Sequence, residues 1–226
     1  MATHADAEAS DSSSEEASDS SSEDLPVSLL RALNAVKEDG RALKDFPAQK
    51  NIPTIVKLAV AQNGQALKHA SSELKGDRTI VLAAVSQRGH AWRALSYASP
   101  EMKKDREVVI AAVQQNGSAL QFASDKLKRD GNVVLKAVAQ NGDALKHASE
   151  QLWADRDVML EAVAIDGWAL CYASEQLRGD RDVVLEAVAQ HGSALQYASE
   201  QLRADRGVVL EAVAQMAPRW RMPRSS

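Results

Sequence analysis

Residues 180–204 read DRDVVLEAVAQHGSALQYASEQLRA, and this pattern of 25 residues returns along most of the chain. Asp180 stands just before an apolar run, where a side-chain oxygen can take the free N–H groups of a helix N-terminus. Asp182 adds a second negative charge in the first turn, where the exposed amides favour it. Val183, Val184, Ala187 and Val188 fall on one helical stripe, and Leu185 widens it. Gly192 is read as the left-handed C-cap that stops this helix. A shorter segment, Ser193–Ala198, offers Ala194, Leu195 and Ala198 for burial. Ser199 then recaps a short turn ending near Leu202, a reading supported by the Ser99-Pro100 variant, because proline is best tolerated just after a cap.

Gly40, Gly64, Gly89, Gly117, Gly142, Gly167 and Gly192 are 24, 25, 28, 25, 25 and 25 residues apart. Aligned on them, the units are 28–51, 52–76, 77–104, 105–129, 130–154, 155–179 and 180–204, with a half unit at 205–217. Counting the leading Asp as position zero, Asp77, Asp105, Asp130, Asp155, Asp180 and Asp205 fall there, and Ser28 takes the place in the first unit. Position nineteen is Ser71, Ser124, Ser149, Ser174 and Ser199, with Ser99 there once the longer third unit is allowed for. No such unit can bury its apolar face alone, so copies must stack. The expected fold is all-α: a solenoid-like array of short helices, seven units and a half over 28–217.

The ends differ in composition. Residues 2–24 hold eight acids, eight serines and no Lys or Arg, while the whole chain has a net charge of -4, so the remainder is mildly basic. Residues 1–27 have too little apolar surface to offset the entropy of ordering, and are expected to be a disordered acidic, Ser-rich tail open to phosphorylation. Residues 218–226 form a short basic tail carrying Trp220, and Ala217-Pro218 is read as the end of the array. The single Cys171 allows no internal disulfide. The chain start lacks the pattern of a signal peptide, and no apolar run reaches the ~20 residues of a membrane span. An intracellular protein, cytoplasmic or nuclear, is the expectation.

Position seventeen holds Asp45, His69, Tyr97, Phe122, His147, Tyr172 and Tyr197, which marks a slot for a flat, partly buried ring. His69 and His147 are therefore read as packing residues; three units apart, they cannot share a metal. Asp is followed by Arg at 77–78, 105–106, 155–156, 180–181 and 205–206. Arg at a helix N-terminus opposes the dipole, so its return points to a ladder in which each Arg reaches an acid or carbonyl of a neighbouring unit, with an anion-binding row as the alternative. Gly131 interrupts that ladder.

Where copies differ is where binding is sought. The third unit carries three extra residues after Gly89, within His90-Ala91-Trp92-Arg93-Ala94-Leu95, a turn that keeps the phase of the buried face. Trp92 and Arg93 on that turn, Trp168 at the variable position thirteen and Trp153 at the preceding junction are the candidate partner-binding residues, since exposed Trp and Arg dominate interface energetics. Packing over the junctions is the competing reading for all of them.

The runs DREVVIAAVQQNGSALQFASDKLKRD (105–130) and GNVVLKAVAQNGDALKHASEQL (131–152), beside the unit quoted first, resemble the repeat of the domain-of-unknown-function family numbered 4116. The valine run, Gly, Ala-Leu and Ala-Ser recur in phase over about 52–217, with 28–51 a degenerate copy. The resemblance implies all-helical repeats and brings no activity, cofactor or catalytic residue. No phosphate-binding loop, metal-spaced cluster or nucleophile-base pair is legible, so no enzyme, cofactor or metal is expected. A scaffold for protein–protein interaction is the leading reading. A structural or accessory module, or a weak nucleic-acid binder, are the alternatives.

Overall fold

The computed structural model describes residues 26–87 and 91–216. The acidic residues 1–24, Gly89, His90, Ala217 and the basic tail 218–226 lie outside them. The described residues form an all-helical array with no strand. Each unit contributes three pieces. A long helix comes first: Val27–Glu38, Pro53–Gln62, Arg78–Val85, Arg106–Gln115, Gly131–Val138, Arg156–Ile165, Arg181–Gln190 and Arg206–Met216. A 3₁₀ helix follows, for example Gly117–Phe122, Gly142–His147, Gly167–Tyr172 and Gly192–Tyr197. A short turn or helix closes the unit, as at Glu150–Trp153 and Glu175–Arg178. Each long helix packs on the next and each 3₁₀ helix on the next, so the pieces stack into columns.

The core is the seam between columns. Position seven is alanine in every unit from the second on, and Ala59, Ala84, Ala112, Ala137, Ala162 and Ala187 have no exposed surface. The small side chain lets neighbouring helices approach closely. Position eight is covered by the following unit: Val188 is 0% exposed, whereas Val213, with no further described unit above it, is 56% exposed. Among the described residues no polar or charged one is fully buried, so the stack is held by apolar contact and by polar groups at its rim.

The recurring glycine has a different job from the one its sequence position suggests. None of the glycines at this register whose surroundings are resolved adopts the left-handed conformation. The chain enters the 3₁₀ helix through an extended residue instead: Asp39, Asn63, Asn116, Asn141, Asp166 or His191. The Asn and Asp side chains then cap the 3₁₀ helix by accepting from the N–H two residues on, as Asn116 does from Ser118 at 2.9 Å. Glycine follows because a Cβ there would collide with the next unit. At Gly40, Gly117, Gly167 and Gly192 it would run into the carbonyl oxygen of Ala59, Ala137, Ala187 and Ala212.

The Asp caps are present as read. Asp77, Asp105, Asp130, Asp155, Asp180 and Asp205 all accept from backbone N–H groups of their own first turn. The first unit departs from the pattern. Its helix opens at Val27 after Pro26, whose carbonyl takes the Leu29 and Leu30 N–H groups, so Ser28 lies inside the first turn and caps nothing. The serine recap is also only partly a side-chain cap. Ser71, Ser99, Ser174 and Ser199 accept at 3.4 Å, while Ser124 and Ser149 make no such bond. All six instead donate their backbone N–H to the preceding unit, at Lys50, Lys75, Lys103, Lys128, Trp153 and Arg178, over 2.8–3.0 Å.

The Arg ladder runs along the opposite column. Arg78 reaches Asp105 at 2.9 Å and also Glu107; Arg106 reaches Asp130 at 3.2 Å; Arg156 reaches Asp180 at 2.8 Å and Asp182 at 2.7 Å. Arg181 lies 3.9 Å from Asp205, and Gly131 leaves the rung to Asp155 empty. The cap uses one carboxylate oxygen and the Arg the other: in Asp180, Oδ1 takes Val183 N–H and Oδ2 takes Arg156. The Arg156 bond, together with the backbone N–H groups, holds the Asp180 carboxyl below the usual range. In Asp105 burial pushes upward, but the Val108 N–H and Arg78 outweigh it and the net shift is again downward.

Two outcomes follow. Gly117→Ala loses about 1–3 kcal/mol through overpacking. Gly131→Ala, whose added methyl would meet only the tip of Val158 at 3.1 Å, stays within about 1 kcal/mol of neutral. Urea midpoints distinguish them, and equal midpoints would show that the glycine register is not a close approach. The depressed Asp105 and Asp180 carboxyls stabilise the fold above the usual carboxylate pKa, and that contribution fades as pH falls through their lower folded values. Arg156→Gln therefore lowers the urea midpoint slightly at neutral pH, as expected of an exposed pair, and its midpoint converges with that of the unaltered chain in strong acid.

Candidate interaction surface

The 3₁₀ column presents positions thirteen and sixteen to solvent. Position thirteen, next to the glycine, is never buried: Arg41, Asp143 and Trp168 are exposed, and Gln65, Ser118 and Ser193 are half-buried. Position sixteen, one turn on, holds Lys44, Lys68, Gln121, Lys146 and Gln196, all exposed, and the half-buried Cys171. The 3₁₀ turn repeats in three residues, so thirteen and sixteen line up on one edge. Position seventeen points back, and His69, Tyr97, Phe122, His147, Tyr172 and Tyr197 are all half-buried rings, as the sequence implies.

Trp168 is the exposed aromatic of this edge, at 39%. Its ring stands 5.9 Å from that of His191 and 6.0 Å, edge on, from that of Tyr197, so it leans on the seventh unit without being covered by it. The exposed Ile165 lies beside it, and both line a shallow depression of about 420 Å³ that includes Val138, Gly142, Asp166 and His191. The Asp166 carboxylate caps Trp168 N–H at 3.0 Å and lies 3.7 Å from His191 Nδ1. Sequence reasoning missed His191 and Ile165. The available signal was position eleven, which is Asp or Asn in Asp39, Asn63, Asn116, Asn141 and Asp166 and becomes a ring at His191.

The other candidates occupy different surroundings. Trp92 lies two residues before the buried Ala94, which is the glycine register of the other units; its half-buried ring stacks on Phe122 at 6.0 Å and 25°. Arg93 is exposed at position thirteen, with its guanidinium 5.3 Å above the Trp92 ring. In this unit the 3₁₀ turn Ala91–Arg93 and the short helix Ala94–Tyr97 together take the place of the 3₁₀ helix of the others, with Ala94 and Leu95 in the core. Trp153 is half-buried and donates its indole N–H to the Leu145 carbonyl at 3.0 Å, and its own carbonyl accepts from Ser174. The indole bond thus stays within the fifth unit, and only the backbone carbonyl reaches the sixth. Trp168 turns to the seventh unit instead, so the two rings serve separate places.

Burial, reinforced by Lys68, Lys75 and Lys44, lowers the His69 pKa below the usual histidine value; burial with Lys146 and Lys128 does the same at His147. Burial pushes the Cys171 thiol up, which disfavours the nucleophilic thiolate. Burial and the neighbouring Cys171 raise Tyr172 well above the tyrosine range, and its hydroxyl donates to Asp143 at 3.1 Å. Among the described residues no group of His, Cys, Asp and Glu is placed to hold a metal ion, and no helix is long and apolar enough to cross a membrane.

Trp153→Phe, which deletes the bond to Leu145, lowers stability by about 1 kcal/mol. Trp168→Phe keeps the ring packing and changes stability by less than about 0.5 kcal/mol. Urea denaturation of the two variants checks the assignment of one ring to the stack and the other to the surface.

The profile of one family, described as Domain of unknown function (DUF4116), matches residues 53–103, 92–128, 130–178 and 180–216. The longest matches span two of the 25-residue units each. No curated protein and no solved structure matches the chain. The matched segments together account for most of the sequence and for every described unit after the first, so the chain belongs to the DUF4116 family and is a tandem array of its repeats.

Proposed function

We propose that the array is a non-catalytic scaffold that binds another protein, with Trp168 as the anchor of the contact. The observation that carries this reading is the pairing of a 39% exposed Trp168 with a 41% exposed Ile165 on the rim of one depression, in an array that otherwise buries its large apolar side chains away from its ends. A Trp fixed by an Asp-capped backbone and by two neighbouring rings loses little freedom on binding, which is the profile of a hot-spot residue. Arg93, exposed on the same edge three units earlier, is a second contact point for an extended partner. Trp92 and Trp153 support the surface from below in this reading, because the Trp92 ring stacks on Phe122 of the next unit and the Trp153 indole is tied to Leu145 of its own.

The test is a comparison of partner recovery by crosslinking from native cells with full-length protein, Trp168→Ala, Ile165→Ala and Trp153→Phe, each shown to keep its helical circular dichroism. Loss of about 2 kcal/mol at Trp168, roughly thirtyfold in affinity, is the expected hot-spot signature. Ile165→Ala weakens recovery less, and Trp153→Phe leaves it unchanged. Equal recovery with Trp168→Ala would rule out this face as the contact.

A further inference from the structure

The opposite end of the same edge carries charge in place of an aromatic. Arg41, Lys44, Gln65, Lys68, His69 and Tyr97 line a cleft of about 220 Å³ between the first three units. Arg41, Lys44 and Lys68 are exposed, and among the described residues none of them is in an ion pair. Arg78, Arg106, Arg156 and Arg181, by contrast, lie against acids of the following unit. The cleft cations therefore contribute nothing to the stack's ion pairs. They raise the local potential instead, and His69 registers it: after burial, Lys68, Lys75 and Lys44 are what hold its pKa down, against Asp45 alone.

We infer that this cleft is a docking site for an acidic peptide segment, and that residues 6–24 of the same chain occupy it in cis. The charges are complementary: Asp6, Glu8, Asp11, Glu15, Glu16, Asp19, Glu23 and Asp24 come without a Lys or Arg among them. The reach is sufficient. Only two residues separate Asp24 from the helix Val27–Glu38, whose 12 residues lead directly to the turn bearing Arg41. That helix is about 18 Å long, a distance that six extended residues cover. More than half of the acidic segment is then free to run along Lys44 and Lys68, at the high effective concentration of a short tether. Phosphate on its serines, each adding about -1.5 to -2 charges, strengthens the contact. A nucleic-acid strand fits less well, because the half-buried rings recur only once per unit, about 8–10 Å apart, instead of at stacking distance. This inference does not depend on whether Trp168 takes a partner.

The experiment follows the His69 titration by NMR in the full chain and in a full-length variant with all eight acids replaced by Asn or Gln. The groups around His69 are Lys44, Lys68, Lys75, Asp45, Arg41 and Tyr97, and a docked carboxylate adds to them a charge that favours the imidazolium. His69 is expected to titrate about half a pH unit or more higher in the native chain at low salt, with His147 unmoved as internal control. The difference disappears in the background of Lys44→Glu with Lys68→Glu and persists with Trp168→Ala. Equal His69 midpoints in the native and neutralised chains would overturn the inference. A difference that grows with protein concentration would do the same, since it would place the segment on a second copy. So would tighter binding of a single-stranded oligonucleotide than of a peptide of residues 1–24 to the neutralised chain at physiological salt, which would make the cleft a nucleic-acid surface.

Discussion

The fold depends on how closely one unit can sit on the next, and that distance is set where a glycine meets an alanine carbonyl. A side chain at Gly40, Gly117, Gly167 or Gly192 would strike the backbone of Ala59, Ala137, Ala187 or Ala212. The same carbonyls accept the N–H that closes their own helix, as Ala59 does from Asn63, so they cannot tilt away. The 25-residue period follows from this contact. In the 25-residue units a glycine returns to the same height on the stack, whereas the longer third unit has Trp92 at that register, and the serine N–H bonds to the preceding unit hold all of them in place. The third unit shows the tolerance of the arrangement: its extra residues fall between Lys75 and Ser99, and the bond between those two forms nonetheless, at 2.9 Å.

Polar groups keep the stack in register from its rim. At Asp105, Asp130 and Asp180 a single Asp does two things, closing its own helix with one oxygen and holding the previous unit's Arg with the other. This explains why Arg follows Asp despite the unfavourable helix dipole: the side chain leaves its own N-terminus and lies against the next unit's acid. These pairs are exposed and individually weak, so they specify alignment more than they add stability. Gly131 shows that one rung can be missing while the apolar seam continues.

Because the seam is so uniform, the outer edge of the 3₁₀ column is free to vary. Position thirteen runs from Arg41 through Arg93 and Asp143 to Trp168 without disturbing a buried residue. One end of the edge is thereby cationic and the other aromatic, which gives two chemically distinct surfaces on one scaffold. The half-buried rings beneath, from His69 to Tyr197, form the floor of both. Burial and neighbouring lysines lower the pKa of the two histidines of that floor, which disfavours their charged form and suits packing.

The sequence by itself determined the all-helical class, the period, the Asp caps and the ring slot, because these rest on local rules: capping chemistry, a helical stripe and the recurrence of residue types; for Trp168 it left exposure and packing both open. Its reading of the glycine was wrong in mechanism, since a residue before a turn looks the same whether it must be left-handed or must lack a Cβ. The Ser28 cap failed for a similar reason: Pro26 and Val27 start the helix one residue earlier, and local pattern cannot separate the two starts. Only tertiary structure decided that Trp92 stacks on Phe122 and that His191 joins Trp168. The same holds for the three cleft cations around His69, Arg41, Lys44 and Lys68, which come from units one and two. Those facts depend on which side chains from different units meet across the stack, and that is a property of its spacing and rotation, which no single unit encodes.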